Sequence, residues 1–171
     1  MALENRDKAS DAPNLRPTFL AKKELEKNKK SKGYASILST FYLDRENIRE
    51  AAETIDKMIS FVKEKKTVAV IFPEGTRSKD GSLSEFKGGA FRAAKKDYLQ
   101  VVPVTINNAL SITDLSRKDK LVVEVIFHQP IKPSSLLAMD TQSIAKIVQQ
   151  KVQSKLVKPE GKRSDKEDKL A

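Results

Sequence analysis

Phe72-Pro73-Glu74-Gly75-Thr76-Arg77-Ser78 follows directly on Thr67-Val68-Ala69-Val70-Ile71, a short β-branched apolar run. A run of this kind bounded by turn residues predicts a fully buried strand over 67–72. Pro73 cannot extend a central ladder, and Gly75 permits dihedrals and a close backbone approach that a side chain would block. A carboxylate and a guanidinium are therefore presented on a tight corner at the carboxyl end of a strand, the edge at which open α/β sheets bind ligands. Arg77 offers a planar fork that matches a phosphate, and Thr76, Ser78 and the turn amides can add hydrogen bonds. The other reading of the same corner is a well-made turn with a surface Glu–Arg pair.

Upstream of the corner, Ile48, Ala51, Ala52, Ile55, Met58, Ile59 and Val62 recur at three- and four-residue steps. They predict an amphipathic helix over 46–64 whose apolar stripe packs into a core, because its polar side mixes both charge signs. Strands are expected at 38–43 and 18–21. Between them, residues 22–32 carry six lysines against two glutamates, +4. That run is either a solvated helix end or loop, or a contact for a membrane surface or an acidic carrier. Residues 1–16, with Pro13 and Pro17 at their end, read as loop.

Downstream, Lys79-Asp80-Gly81-Ser82 is a turn by composition. Lys87-Gly88-Gly89-Ala90 opens a helix to about Asp97, and its free amides and dipole make Lys87 a candidate phosphate or carboxylate contact. Gly88 and Gly89 serve either close approach to a ligand or simple packing relief. Strands follow at 100–106 and 121–127. A final amphipathic helix begins near Asp140 or Thr141, carries Ile144, Ile147, Val148, Val152 and Leu156, and is stopped by Pro159. The alternation predicts an α/β fold with a mixed, mainly parallel sheet flanked by helices. Residues 1–157 form one domain on this reading, and the charged residues 158–171 form a disordered tail.

Composition bounds the partners. The 171 residues are enough for one domain with a real core, and 33 − 23 gives a net charge of +10. Such a surplus favours anionic lipid head groups, phosphorylated substrates or nucleic acid. The basic residues do not interleave with aromatics, which make up 6% of the chain, so a single-stranded nucleic-acid reading is weakened. No apolar run approaches the roughly 20 residues that cross a bilayer, and residues 1–7 lack the apolar core of a signal peptide. Without cysteine there is no disulfide, thiol nucleophile or Cys-based zinc site, and no metal site is expected.

Phe72-Pro73-Glu74-Gly75-Thr76-Arg77-Ser78 resembles the signature of the glycerolipid acyltransferases, in particular the 1-acylglycerol-3-phosphate (lysophosphatidate) acyltransferases. Phe19–Leu25, Phe41–Arg45, Phe86–Phe91 and Val101–Val104 are similar to that family's other blocks, in the family's order. The resemblance covers roughly residues 5–130. It implies transfer of a fatty acyl group from a thioester, acyl-CoA or acyl carrier protein, to 1-acylglycerol 3-phosphate, with no bound cofactor. It also implies a cytoplasmic protein, peripheral on the inner membrane face. Carried across, Arg45, Glu74, Gly75, Thr76 and Arg77 would form the phosphate site with Lys87, and Glu74 would orient an Arg or bind glycerol hydroxyls. Pro103 would serve the strand end or the acyl donor.

One block departs. The family's general base is a His followed by an Asp that orients it, the logic of a serine-protease triad without the serine. At the matching place, Asn5-Arg6-Asp7-Lys8-Ala9-Ser10-Asp11-Ala12-Pro13, the positions of Asn5, Asp11 and Pro13 fit and Arg6 stands where the His belongs. An arginine stays protonated and cannot accept the substrate proton. Asp11, the block's candidate catalytic residue, or Asp7 could help only with a raised basicity, the His partner being missing; a generic loop is the other reading of this segment. Hydrophobic segments often precede this block in the family, so a shortened or divergent member is implied. The single histidine, His128, reads as a satisfied residue at a strand end. Two rivals stand beside the enzyme: a non-catalytic phospholipid-binding domain of the same fold, and a basic nucleic-acid-binding protein.

Overall fold

A computed structural model of the chain describes residues 16–27, 37–44, 47–78, 80–110, 112 and 116–157. The chain groups into two compact units, Met1–Phe72 and Pro73–Ala171, where the sequence reading takes 1–157 as one domain. The tail expected over 158–171 lies outside the described residues, as do Lys29, Lys30 and Lys32 of the basic run.

The first unit is built on β1 (Thr18–Lys22), which pairs in parallel with β2 (Phe41–Leu43) on one side. On its other side it pairs in parallel with β3 (Ala69–Val70), so the order is β2-β1-β3. The registers are Leu20 with Phe41 and Thr18 with Ala69. Helix α1 (Ile48–Lys65) joins β2 to β3 and starts where Asn47 caps it, its side-chain oxygen accepting the Glu50 N–H at 3.1 Å. It ends where Lys66 turns left-handed, φ 50°, and returns its N–H to Val62. Of the expected face, Met58 and Ile59 are buried and Ala51, Ile55 and Val62 half-buried while Ala52 is exposed, and Phe61 meets Phe41 edge to face with centroids 5.7 Å apart. The stripe of α1 is thus core.

Two strands are shorter than the sequence predicts. A turn at Leu38–Ser39, with Ser39 at φ 48°, delays β2 to Phe41. The fully buried strand expected over 67–72 is a two-residue pairing, with Val68 and Phe72 54% and 57% exposed. The ladder opens with the Thr18 N–H on the Val68 carbonyl at 2.9 Å and closes at the pairing of Phe19 with Val70, before Ile71 and Phe72 are reached.

The second unit holds an antiparallel pair, β4 (Val104–Asn107) with β5 (Glu124–Phe127). Pro103 lacks a donor, so the strand expected over 100–106 divides into a lone bridge, Val101 to Ile131, and β4. The helix expected from Lys87 is two pieces, a 3-10 turn at Gly88–Phe91 and the short α2 (Arg92–Lys96). A further short helix, α3 (Pro133–Leu137), was not foreseen; Pro133 at its first position supplies the fixed φ that opens it. Helix α4 (Thr141–Gln153) begins at the expected place, where Asp140 accepts the N–H groups of Gln142 and Ser143, each at 2.9 Å. Ile144, Ala145, Val148 and Val152 of α4 join Phe86, Phe91, Ile131 and Leu136 in one buried cluster. Parallel pairing in one unit and antiparallel pairing in the other, both with helices, make an α/β fold of mixed, mainly parallel strands.

Candidate functional site

The Pro73–Lys87 segment is a closed surface loop. Its ends meet where the Lys87 N–H donates to the Pro73 carbonyl at 3.0 Å, the form of an Ω-loop. Just inside that neck, Glu74 Oε2 accepts the Ser84 N–H at 2.8 Å. Gly75 follows at φ 68°, a left-handed conformation that costs any L side chain about 1–2 kcal/mol. The expectation that Gly75 supplies special dihedrals is therefore met at the corner itself. Past it, Thr76 and Arg77 are exposed, and Lys87 is exposed at the other end of the loop.

The carboxylates of the loop are held by neutral donors. Asp80 Oδ1 accepts from Ser78 Oγ at 3.2 Å, from the Ser82 N–H at 3.0 Å and from Ser82 Oγ at 2.6 Å. These bonds, led by the Ser82 hydroxyl, hold the Asp80 carboxyl below the usual aspartate range. Glu85 accepts from the Gln142 amide at 3.2 Å. Among the described residues no ion pair is formed by Arg77 or Lys87. The loop so presents two exposed cations, Arg77 and Lys87, and the exposed Thr76 at its surface.

One oxygen of Glu74 braces the loop through Ser84, a contact that the sequence does not signal. The two glycines also separate. A Cβ on Gly88 would come within 2.8 Å of Gln142 Oε1, 3.1 Å of the Thr141 carbonyl carbon and 3.2 Å of Gln142 N, whereas a Cβ on Gly89 would meet nothing within 4 Å. Gly88 is a packing glycine, letting the 3-10 turn lie on the start of α4. Because the turn and α2 are short and differ in geometry, the aligned dipole expected at Lys87 is small.

Arg45 and the whole Asn5–Pro13 block, with Arg6 and Asp11, lie outside the described residues. His128 is structural. Thr105 Oγ1 donates to the Val152 carbonyl at 2.8 Å, so at 2.8 Å from His128 Nε2 it can only accept, and Nε2 carries a proton. That nitrogen is committed as a donor and cannot take a proton from a substrate. The basic run is partly neutralised: Lys23 Nζ lies 3.1 Å from Asp44 and 2.7 Å from Glu50, which raise its pKa, the Glu50 hydrogen bond most. No helix among the described residues is long and apolar enough to cross a membrane.

One bond was beyond sequence reasoning. Gln149 Oε1, on α4, accepts the Phe86 N–H at 3.0 Å, and nothing local in either segment signals a partner so far along the chain.

A family model described as Acyltransferase matches residues 3–107, more than half of the chain. The chain belongs to that acyltransferase family. It is 29% identical over 137 residues to a probable 1-acyl-sn-glycerol-3-phosphate acyltransferase of Mycoplasma pneumoniae, covering 75% of this chain and 51% of the relative. To the 1-acyl-sn-glycerol-3-phosphate acyltransferase of Saccharomyces cerevisiae it is 35% identical over 97 residues, 56% of this chain and 32% of the relative. The crystal structure of the 1-acyl-sn-glycerophosphate (LPA) acyltransferase PlsC from Thermotoga maritima superposes with a TM-score of 0.61 at 27% identity, covering 81% of this chain and 55% of that one. The chain thus spans about half the length of the Mycoplasma and Thermotoga proteins and a third of the yeast one.

Proposed function

We propose that this chain acts in phospholipid biosynthesis by gripping the phosphate of 1-acylglycerol 3-phosphate on its Pro73–Lys87 loop and receiving a fatty acyl group on the lipid's free hydroxyl to give phosphatidate. The carrying observation is the closed loop itself, with Gly75 at φ 68° and Thr76 and Arg77 exposed beyond it, inside the segment that matches the family. A dianionic phosphate facing a guanidinium and a hydroxyl is favourable. The named activity of the Mycoplasma, yeast and Thermotoga relatives supports the same substrate class.

The acyl group would come from a thioester, acyl-CoA or acyl carrier protein. Attack by the lipid hydroxyl on the thioester carbonyl forms the ester and releases the thiol, with the hydroxyl proton passing to a base and then to the thiolate. Work at the anionic inner face of a membrane from the cytoplasm fits the net charge of +10.

The Arg6 position favours a second reading, a phospholipid-binding domain of the same fold that has lost its base. Thiol release from acyl-CoA with lysophosphatidate, measured for the chain and for Arg6→His, separates the two. Turnover by the unaltered chain supports the enzyme. Turnover only after Arg6→His supports loss of the base. Binding of the lysophospholipid without turnover in either supports the binding domain.

A further inference from the structure

We propose that Gln149 is a positioning residue for the phosphate-gripping loop, acting through the backbone of Phe86. This inference rests on the reading of that loop as the phosphate site. Buried or half-buried backbone donors need partners, and in an extended segment a neighbouring strand normally supplies them. No strand pairs with residues 83–87 among the described residues. Two side chains and one distant carbonyl take the ladder's place instead: Glu74 accepts at Ser84, Gln149 accepts at Phe86, and the Pro73 carbonyl accepts the Lys87 N–H.

The Phe86 bond differs from the other two in what it connects. Glu74 and Pro73 tie the loop to itself, whereas Gln149 ties its neck to α4, the helix that carries much of the unit's buried cluster. Phe86 is 4% exposed and Gln149 is half-buried, so water does not readily replace a lost acceptor. Through Phe86, the amide oxygen of Gln149 fixes the residue next to Lys87, and through the Lys87–Pro73 bond it fixes the entry to the Glu74–Arg77 corner. Gln149 reaches the loop through the Phe86 backbone only, and it lies outside the residues 3–107 that the family model matches. A neck held at both sides presents Arg77 and Lys87 in one arrangement before the anion arrives, which lowers the ordering cost of binding.

The test uses the full chain, glycerol 3-phosphate as probe, and two variants. Gln149→Leu keeps the size and removes the acceptor; Gln149→Glu keeps an acceptor oxygen at the same place. Titration calorimetry is expected to show about tenfold weaker binding for Gln149→Leu and binding within about twofold of the parent for Gln149→Glu. Amide exchange at Phe86 and Lys87 is expected to accelerate by about tenfold in Gln149→Leu alone, with the amides of α4 unchanged. Equal binding by Gln149→Leu and parent overturns the proposal, as does equal weakening by both variants, which marks a packing defect. Should the parent itself bind no glycerol 3-phosphate, the phosphate reading and the positioning role built on it fall together. The exchange at Phe86 would then still report separately whether the clamp exists.

Discussion

Glu74 Oε2 accepts the Ser84 backbone N–H at 2.8 Å, so the acid of the Phe-Pro-Glu-Gly-Thr-Arg-Ser stretch is a brace across its own loop. Removing it in Glu74→Ala leaves a half-buried donor without its acceptor, a cost of about 1 kcal/mol, while Glu74→Gln keeps an oxygen there and recovers most of it. Thermal unfolding should rank the three proteins parent, Gln, Ala. Glycerol 3-phosphate affinity should follow the same order, because Arg77 stands on the braced segment. A Gln variant that folds as well as the parent yet loses all binding would show that the carboxylate touches the ligand.

Gly75 and Gly88 are required for different reasons, and substitution separates them. Gly75→Ala forces a side chain into the left-handed region at φ 68° and should cost about 1–2 kcal/mol with a parallel loss of phosphate binding. Gly88→Ala drives a methyl against Thr141 and Gln142 of α4 and should cost about 1–3 kcal/mol through packing. Gly89→Ala, with open space around it, should be neutral or stabilising by a few tenths to about 1 kcal/mol. Denaturant midpoints for the three variants check the order.

His128 Nε2 holds Thr105 Oγ1 at 2.8 Å just past the end of β5, a structural contact. His128→Gln should therefore leave the rate of thiol release per folded molecule unchanged, whatever that rate is. Thr105→Val should instead be destabilising by about 1–3 kcal/mol, because it strips a fully buried hydroxyl from both His128 and the Val152 carbonyl. A large drop in turnover for His128→Gln with normal folding would contradict this assignment.

Asp80 and Asp140 contribute stability that depends on pH with one sign. Both carboxyls are held below the ordinary aspartate value, Asp80 by Ser82 and Ser78, and Asp140 by the Ser143 hydroxyl and the N–H groups of Ser143 and Gln142. A depressed folded-state pKa means the unfolded chain takes up the proton first as pH falls. The stabilisation is then present above an unfolded value near about 3.9 and is lost as pH drops through the lower folded value. The stability advantage of the parent over Asp80→Asn or Asp140→Asn should be constant near neutrality and shrink only in acid. An advantage that grows on acidification would reverse the assignment.

Much of this architecture was legible in the residues. The steps of α1 and α4 are set by buried stripes, and Asn47 and Asp140 mark their starts through side-chain oxygens. Strand lengths were less legible, because pairing partners decide them; Pro103, which removes a donor between the Val101 bridge and β4, marks one break in the residues themselves. The short α3 announced itself only by Pro133 followed by Leu136 and Leu137, too few residues to establish a period. Of the site, the corner, Gly75 and the exposure of Arg77 could be read directly. Ser84 as the partner of Glu74, and Gln149 as the partner of Phe86, could not, since hydrogen bonds between distant segments leave no local pattern.

Titration of glycerol 3-phosphate into the unaltered chain and into Arg77→Leu tests the central claim most directly. Saturable binding in the parent, weakened about tenfold or more by the substitution and falling with added salt, is the predicted result. Binding that is absent from the parent, or the same in both proteins, would contradict a phosphate grip on the Pro73–Lys87 loop.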